Sequence, residues 1–358
     1  MQDSNTGRLG RITASKMFWP FVVLGLILLF NLIFTKGFFN LDIRDGHLFG
    51  TTIDILNRSA QIMIIAIGLT LVIATHGIDI SVGSVVAISA AMAALLIGGK
   101  LVLRGDVQEY VTLVPMPVAI LAAVGVAGLA GGWNGLLVSR LKIQPIVATL
   151  ILMVAGRGVA QLITSGQIIT IYYKPFFFLG NGFLFGLPFT VYIVAVVLAF
   201  TVFMTRRTAL GLYIESIGVN PTASRYSGIK PERIIFWVYV FGSICAGIAG
   251  LIVASNVKSA DGNNAGDLFE LDAILAVVLG GTSLNGGKFY LGGSVIGALI
   301  IQSLTTTIYA QGVPPEITLV VKALVVFAVT MLQSESFRKM VFGRFMPVAS
   351  ATPQKESV

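Results

Sequence analysis

The chain contains 358 residues, of which 56% are hydrophobic and 11% are charged. A water-soluble domain carries about 25% charged residues, so this chain has too few charges to cover one or two soluble domains. The mean hydropathy of +0.90 agrees, and the composition predicts an integral membrane protein. One cysteine and two histidines exclude a disulfide framework and argue against a Cys/His metal site, so no cofactor is predicted.

Apolar segments follow one another along the chain, and a helix needs about 20 such residues to cross the hydrocarbon core. The predicted helical segments are Phe18–Thr35, Ser59–Thr75, Ser81–Gly99, Val111–Val138, Pro145–Ser165, Gly186–Thr205, Ile234–Val257, Leu271–Gly281, Phe289–Tyr309 and Ile317–Gln333. Leu271–Gly281 is short, and it either crosses the membrane or forms a broken or re-entrant element. The predicted fold class is an all-α polytopic membrane protein with about ten transmembrane helices, some short or broken. Residues 18–333 form the transmembrane domain, between tails of residues 1–17 and 334–358.

The distribution of lysine and arginine predicts the orientation, because short cytoplasmic loops are enriched in both. With the N-terminus inside, 15 of the 24 cations lie on the inner side and 7 on the outer side, while Arg157 and Lys322 lie within apolar segments. Both tails and the loop 206–233 are therefore predicted to be cytoplasmic. The same bias accounts for the net charge of +8 without a nucleic-acid partner.

Small residues predict close helix packing, and two short breaks interrupt the apolar pattern. The pairs with a spacing of four are Gly128 and Gly132, Ala246 and Gly250, and Gly293 and Gly297. The breaks are residues 74–84 and 280–288, and each is followed by Gly-Ser-Val, at Gly83–Val85 and Gly293–Val295. This similarity indicates either a weak internal repeat, as in many transporters, or a chance match in a glycine-rich chain.

Five polar residues in or near the apolar segments are candidates for a substrate path: Asp79, Ser81, Asn134, Arg157 and Gln161. Asp79 is placed to accept a hydrogen bond from an amide at a helix start, a role that is compatible with lining a path. Arg157 and Gln161 lie one turn apart, so one helix face carries a guanidinium and an amide. An ionised group within a span needs a polar interior or a partner. That face suits hydroxyl-rich cargo and a structural network equally well.

No motif of enzyme chemistry is found in the sequence. The phosphate-binding pattern G-x-x-x-x-G-K-[ST] does not occur, and neither does H-E-x-x-H. The chain is therefore predicted not to hydrolyse nucleotides and not to be an enzyme.

The loop 206–233 is the only long inner loop, and its mixed apolar and small residues favour folded structure over a solvated loop. Pro221 is suited to the first position of a short helix, with Asn220 as its N-cap. Short helices rich in small residues suit a membrane subunit that must seat in a groove of a soluble partner. An ordinary solvated loop is the alternative.

Four stretches of the sequence carry a family resemblance, which covers roughly residues 50–335. They are Gly77–Gly83 (GIDISVG), the loop from Gly211 to Ile229, Glu270–Gly281 (ELDAILAVVLGG), and Ile143–Ile163. The first three resemble the ribose-type permeases of bacterial sugar importers driven by ATP-binding-cassette (ABC) ATPases. The fourth is similar to the galactofuranose and bifidobacterial fructose branches.

The resemblance implies a permease in the bacterial plasma or inner membrane that translocates a monosaccharide, a pentose or hexose, in furanose form in the galactofuranose branch. Its implied partners are a cytoplasmic ABC ATPase, an extracytoplasmic sugar-binding protein and a second permease, in a homodimer or a heterodimer. The implied ATPase-coupling residues are Glu215, Gly218, Asn220, Ala223, Ser224 and Gly228. An ion-gradient-driven sugar transporter is the alternative, although its ion would need carboxylates within the membrane. A membrane enzyme would need catalytic groups that the sequence lacks.

Overall fold

The computed structural model describes residues 18–44, 46–98, 100–104 and 107–333. The predicted tails, 1–17 and 334–358, lie outside the described residues. The helices are α1 Phe18–Phe34, α2 Thr51–Ala74, α3 Val82–Ile97, α4 Met116–Ser139, α5 Pro145–Ile163, α6 Phe178–Asn181, α7 Phe189–Arg207, α8 Leu210–Val219, α9 Pro221–Tyr226, α10 Pro231–Val257, α11 Phe269–Leu279, α12 Leu291–Ala310 and α13 Pro315–Gln333. A 3₁₀ turn, Lys174–Phe177, precedes α6.

The described strands are short and form two-stranded antiparallel sheets. The pairs are β1 Asp42–Arg44 with β2 His47–Phe49, β3 Lys100–Arg104 with β4 Val107–Val111, β5 Ile169–Thr170 with β8 Ser259–Ala260, and β6 Phe183–Leu184 with β7 Leu187–Pro188. Three of these pairs are hairpins between neighbouring segments, whereas β5 and β8 join two distant loops. These strands make up little of the chain and the helices make up most of it, so the fold is all-α and polytopic, as predicted.

Each predicted apolar segment contains a helix. Among the described residues, six helices are long and apolar enough to cross a membrane, namely α2, α4, α5, α7, α10 and α12. The helices α1 and α3 and residues Ile317–Ala328 of α13 are apolar but shorter. The helix α11 has 11 residues and is about 16 Å long, roughly half the thickness of the hydrocarbon core. It is the short element that the sequence predicted.

Helix starts differ from the apolar windows where polar residues occupy a first turn. The helix α2 begins at Thr51 instead of the predicted Ser59, because Asp54, Asn57 and Arg58 lie on helical turns that a hydropathy window omits. Conversely, α4 begins at Met116, since the residues up to Val111 belong to strand β4.

The described residues fall into two compact units, one up to residue 307 and one from residue 308. In the first unit α10 packs against α2, α3 and α4. Residues 62–74 of α2 and most of α3 are buried, whereas α4 and α5 expose large apolar side chains such as Leu129 and Leu162. The second unit contributes α13. Exposed leucines are expected on helices that face lipid.

Glycines let the central helices approach closely. A Cβ at Gly250 would overlap the backbone of Val86, and one at Gly297 would overlap Ala276, so two predicted pairs do mark close contacts. On α4 the close contacts are made by Gly131 and Gly135 against α10, whereas Gly128 and Gly132 have ordinary spacing. The small-residue pattern identified the correct helix but not the face that packs.

Candidate functional site

The loop 206–233, called the coupling segment below, contains α8 and α9, and the predicted short helix is present as α9. Pro221 is its first residue, and Oδ1 of Asn220 accepts a hydrogen bond from the amide of Ala223 at 2.9 Å, as predicted. At the other end Gly228 has φ of +83°. Its amide donates to the carbonyl of Arg225, and the amide of Ile229 donates to Ser224. This is a Schellman ending, so glycine at 228 is required by the backbone.

Two of the predicted coupling residues face the interior of the chain. A Cβ at Gly218 would overlap the carbonyl oxygen of Ala74 and the amide nitrogen of Gly287. Ser224 is buried, and its hydroxyl donates to the carbonyl of Asn220 at 2.9 Å. Their small size is therefore used for packing within this chain. Glu215 is half-buried, and Ala223 and Gly228 are exposed.

Both helix breaks meet the end of α8. The amide of Gly287 donates to the carbonyl of Ala74 at 2.9 Å, and Nδ1 of His76 lies 2.9 Å from the carbonyl oxygen of Asn285. Residues 74–77, 218–219 and 285–287 thus form a three-way backbone contact, called the junction below. It borders a cavity of about 460 Å³.

The first break contains a buried polar network. Oδ1 of Asp79 accepts from the amide of Ser81 at 2.9 Å and from its hydroxyl at 2.6 Å. Nδ2 of Asn134, on α4, donates to Oγ of Ser81 at 2.9 Å. All three residues have 0% exposure. The structure thus brings together three of the five candidate path residues, and Asp79 accepts the amide hydrogen bond predicted for it.

Two acceptors of this network are unused. Oδ2 of Asp79 and Oδ1 of Asn134 are buried and have no hydrogen-bond partner among the described residues. Burying a polar atom without a partner costs about 1–3 kcal/mol. The network therefore has the capacity to accept hydrogen bonds from a ligand or from water.

Arg157 and Gln161 bind a different segment. Nη1 of Arg157 donates to the carbonyl of Ala265 at 2.6 Å, and Nε2 of Gln161 donates to Oδ1 of Asn263 at 2.7 Å. Both side chains therefore fasten the loop between α10 and α11 to α5. They share no hydrogen bond with the Asp79 network within the described part of the chain.

Asp261 organises the same loop. Its Oδ1 accepts from the amide of Asn263 at 2.8 Å, and its Oδ2 accepts from Nδ2 of Asn264 at 2.7 Å. Desolvation acts to raise the pKa of Asp261, but these hydrogen bonds and the charge of Arg157 outweigh it and hold the pKa below its ordinary value. The sequence revealed the unusual Arg157 and Gln161 but not their partners, which lie about a hundred residues away.

The chain is similar to known proteins along most of its length. The family described as "Branched-chain amino acid transport system / permease component" matches residues 51–330. The galactofuranose transporter permease protein YtfT of Escherichia coli (strain K12) is 48% identical over 91% of this chain and 93% of its own. The fructose import permease protein FruF of Bifidobacterium longum (strain NCC 2705) is 39% identical over 90% of this chain and 89% of its own.

A ribose import permease protein, RbsC of Haemophilus influenzae (strain ATCC 51907 / DSM 11121 / KW20 / Rd), is 33% identical over 90% of this chain and 94% of its own. No solved structure matches the chain. The family match covers more than half of the chain and includes both breaks and the coupling segment. The chain belongs to this family of transport permeases, and the resemblance found in the sequence is confirmed.

Proposed function

We propose that this chain is the membrane-spanning permease of an ATP-driven importer that moves a monosaccharide into the cytoplasm. A separate ABC ATPase hydrolyses the ATP, and an extracytoplasmic binding protein delivers the sugar. The relatives named above, which are permeases for galactofuranose, fructose and ribose, support this substrate class. Galactofuranose is the first sugar to test, because its permease is 48% identical to this chain.

The observation that carries the proposal is the junction. The coupling segment touches both helix breaks through backbone atoms, with no flexible side chain between them. A force applied to α8 and α9 by a partner would therefore reach the two places where the bundle is interrupted. Closely packed backbone atoms transmit strain.

The exposed residues that we propose as the ATPase contact are not the small residues that the sequence suggested for it. Val219 is 78% exposed and Tyr226 is 89% exposed, at the two ends of the short helical turn. Large exposed apolar groups beside exposed polar ones are typical of protein interfaces. We assign docking to these two residues together with Glu215 and Ala223, and we assign Gly218 to transmission through the junction.

The Asp79 network is the proposed contact of the first break with the sugar. A sugar is neutral and rich in hydroxyl donors, and the free Oδ2 of Asp79 and Oδ1 of Asn134 are acceptors. Hydroxyl donors would satisfy both atoms without a countercharge. Arg157 and Gln161 take a positioning role in this account, since they hold the loop between α10 and α11.

An ion-driven sugar transporter is the second candidate, and Asp79 is the observation that favours it. A carboxylate of 0% exposure with one free oxygen, beside a broken helix, suits the binding of a coupling ion or proton. The two candidates differ in their energy source, so one transport assay separates them.

The test uses proteoliposomes that contain this chain with a second permease copy or its paralogue, the ABC ATPase and the binding protein. Uptake of labelled galactofuranose, fructose and ribose is measured with and without ATP. We expect uptake that requires ATP and the binding protein and that persists when ionophores collapse ion gradients. Uptake without the ATPase that follows an imposed ion gradient would instead establish the second candidate.

The proposed orientation, with both termini and the coupling segment in the cytoplasm, has its own test. Cys245 is buried, so the native thiol gives little background labelling. A cysteine at the exposed Thr222 should resist an impermeant thiol reagent in intact cells, whereas one at the exposed Asp267 should react. Labelling at 222 and protection at 267 would show that the chain has the opposite orientation.

A further inference from the structure

A second cavity lies between the C-terminal end of α4 and the N-terminal end of α10 and is separate from the junction. It has a volume of about 620 Å³, and its lining includes Arg140, Lys230 and Arg233. These three cations are exposed at the surface of the chain. Together they make the cavity a positively charged groove, called the basic groove below.

The three cations of the basic groove are not ion-paired with any described residue. The carboxylate in its lining, Glu232, pairs with Arg225 of α9. No carboxylate forms an ion pair with Arg140, Lys230 or Arg233 within the described ranges. Three uncompensated cations in one concave site attract an anion, and arginine in particular binds phosphate oxygens with two parallel hydrogen bonds.

A buried hydroxyl supplies an independent sign of a ligand. Ser139 lines the groove and is 4% exposed, and its Oγ has no hydrogen-bond partner among the described residues. A buried hydroxyl without a partner is costly. A phosphate oxygen in the groove would accept its proton and remove that cost.

An apolar track leads from the groove towards the middle of the bilayer. Leu129, Trp133, Leu136 and Arg140 follow one another at spacings of four, three and four, so they share one face of α4 and its last turn. The three apolar side chains are exposed. From Leu129 to Arg140 this face is about 16 Å long, which is roughly half the thickness of the hydrocarbon core. Exposed Trp237 in the groove is typical of the interface.

We infer that the basic groove binds the phosphate headgroup of an anionic phospholipid, with an acyl chain lying along α4. Charge alone would also suit an acidic protein partner, but a partner in the aqueous phase would leave the apolar track uncovered. Cationic pockets between helices at the membrane surface are suited to anionic lipid headgroups. This inference does not depend on the transported substrate or on the energy source.

The test uses the full chain with Trp19→Phe, which leaves Trp133 and Trp237 as fluorophores next to the proposed lipid. It is reconstituted in phosphatidylcholine vesicles that contain either brominated phosphatidylglycerol or brominated phosphatidylcholine at the same mole fraction. We expect stronger quenching by the brominated phosphatidylglycerol. Equal quenching by the two lipids would overturn the inference without the need for any variant of the groove.

Variants then assign the preference to the groove. Arg140→Gln with Arg233→Gln should weaken the preference for phosphatidylglycerol by about fivefold for each cation removed. The matched control, Arg206→Gln with Arg207→Gln, removes the same charge from exposed residues at the end of α7 and should leave the preference unchanged. An equal loss in both variants would show attraction by net charge alone and would overturn the site.

Ser139→Ala adds a readout that general electrostatics would not change. It should weaken the lipid preference while the thermal stability of the chain in neutral detergent stays the same or rises, because an unpartnered hydroxyl is removed. If instead the groove variants keep the lipid preference but lose the ATPase in a pull-down, the groove belongs to a protein partner and the lipid assignment is wrong.

Discussion

The two helix breaks are alike in sequence but differ in their surroundings. In the first break Asp79 is fully buried and hydrogen-bonded to Ser81, whereas the second break exposes Ser283, Leu284 and Asn285. One break is thus a polar site inside the bundle and the other is a surface turn. This difference is the basis of our proposal that the first break contacts the substrate and that the second supports the coupling segment.

The helices that follow the two breaks use their serines in the same way. Oγ of Ser84 donates to the carbonyl of Ser81 at 2.8 Å and lies 3.3 Å from that of Leu152. Oγ of Ser294 donates to the carbonyl of Tyr290 and lies 2.7 Å from Oγ1 of Thr70. Each serine bonds back to a carbonyl one turn earlier and lies within hydrogen-bond distance of a neighbouring helix, and the weak repeat stays a prediction.

The largest expected effect is at the residue that touches both breaks. Gly218→Val would place side-chain atoms where the backbone atoms of Ala74 and Gly287 lie. We expect a loss of about 3 kcal/mol in the free energy of unfolding, the upper end for overpacking. The fall in the thermal unfolding midpoint of the purified chain checks this, and transport should be lost.

Ala223→Val is the matched control for Gly218→Val, because Ala223 lies in the same segment but is exposed. Its unfolding midpoint should stay close to that of the parent chain. If both variants were equally stable, the close contact between the coupling segment and the two breaks would be refuted.

The contrast between Gly218 and Asn220 shows what the sequence could predict. The capping by Asn220 and the helix start at Pro221 depend on neighbouring residues, so local rules predicted them. The role of Gly218 depends on Ala74 and Gly287, which are distant in sequence, and a small residue looks the same whether it faces a partner or its own chain. The apolar segments were predicted for the same local reason, whereas the partners of Arg157 and Gln161 were not.

A smaller effect is expected within the first break. Asp79→Ala would leave the amide and the hydroxyl of Ser81 without their acceptor, which should cost about 1–3 kcal/mol. Asp79→Asn keeps an acceptor and removes the charge, so it should retain most of the stability. The amide loses one of the two acceptor oxygens, so uptake should fall in Asp79→Asn under either candidate function. The energy source of the uptake that remains separates the candidates: an ATP-driven importer still requires ATP, whereas ion coupling would make the remaining uptake depend on an ion gradient.

In the second break the side chain of Asn285 should contribute little to stability. His76 contacts the backbone carbonyl of Asn285 and not its side chain. Asn285→Ala should therefore change the free energy of unfolding by less than about 0.5 kcal/mol, measured as above. A loss as large as that of Asp79→Ala would remove the proposed difference between the two breaks.

His76→Ala should have an intermediate effect, because it removes one hydrogen bond between the breaks. A net hydrogen bond contributes about 0.5–1.5 kcal/mol, and the exposed position of His76 places it at the lower end. Protease accessibility of the second break in the folded chain is the sensitive measurement. Unchanged cleavage between Ser283 and Lys288 would mean that this hydrogen bond does not hold the turn.

The central claim is that the coupling segment has two sides, with Gly218 against the breaks and Val219 and Tyr226 towards the ATPase. The most direct test measures how well the tagged chain retains the ATPase when it carries Tyr226→Ala and Val219→Ser. The control is Phe185→Ala, at an equally exposed aromatic residue outside the segment. We predict an unchanged unfolding midpoint and about thirtyfold weaker ATPase binding, as for an interface hot spot, with normal binding by the control. Parental affinity in the double variant would contradict the claim.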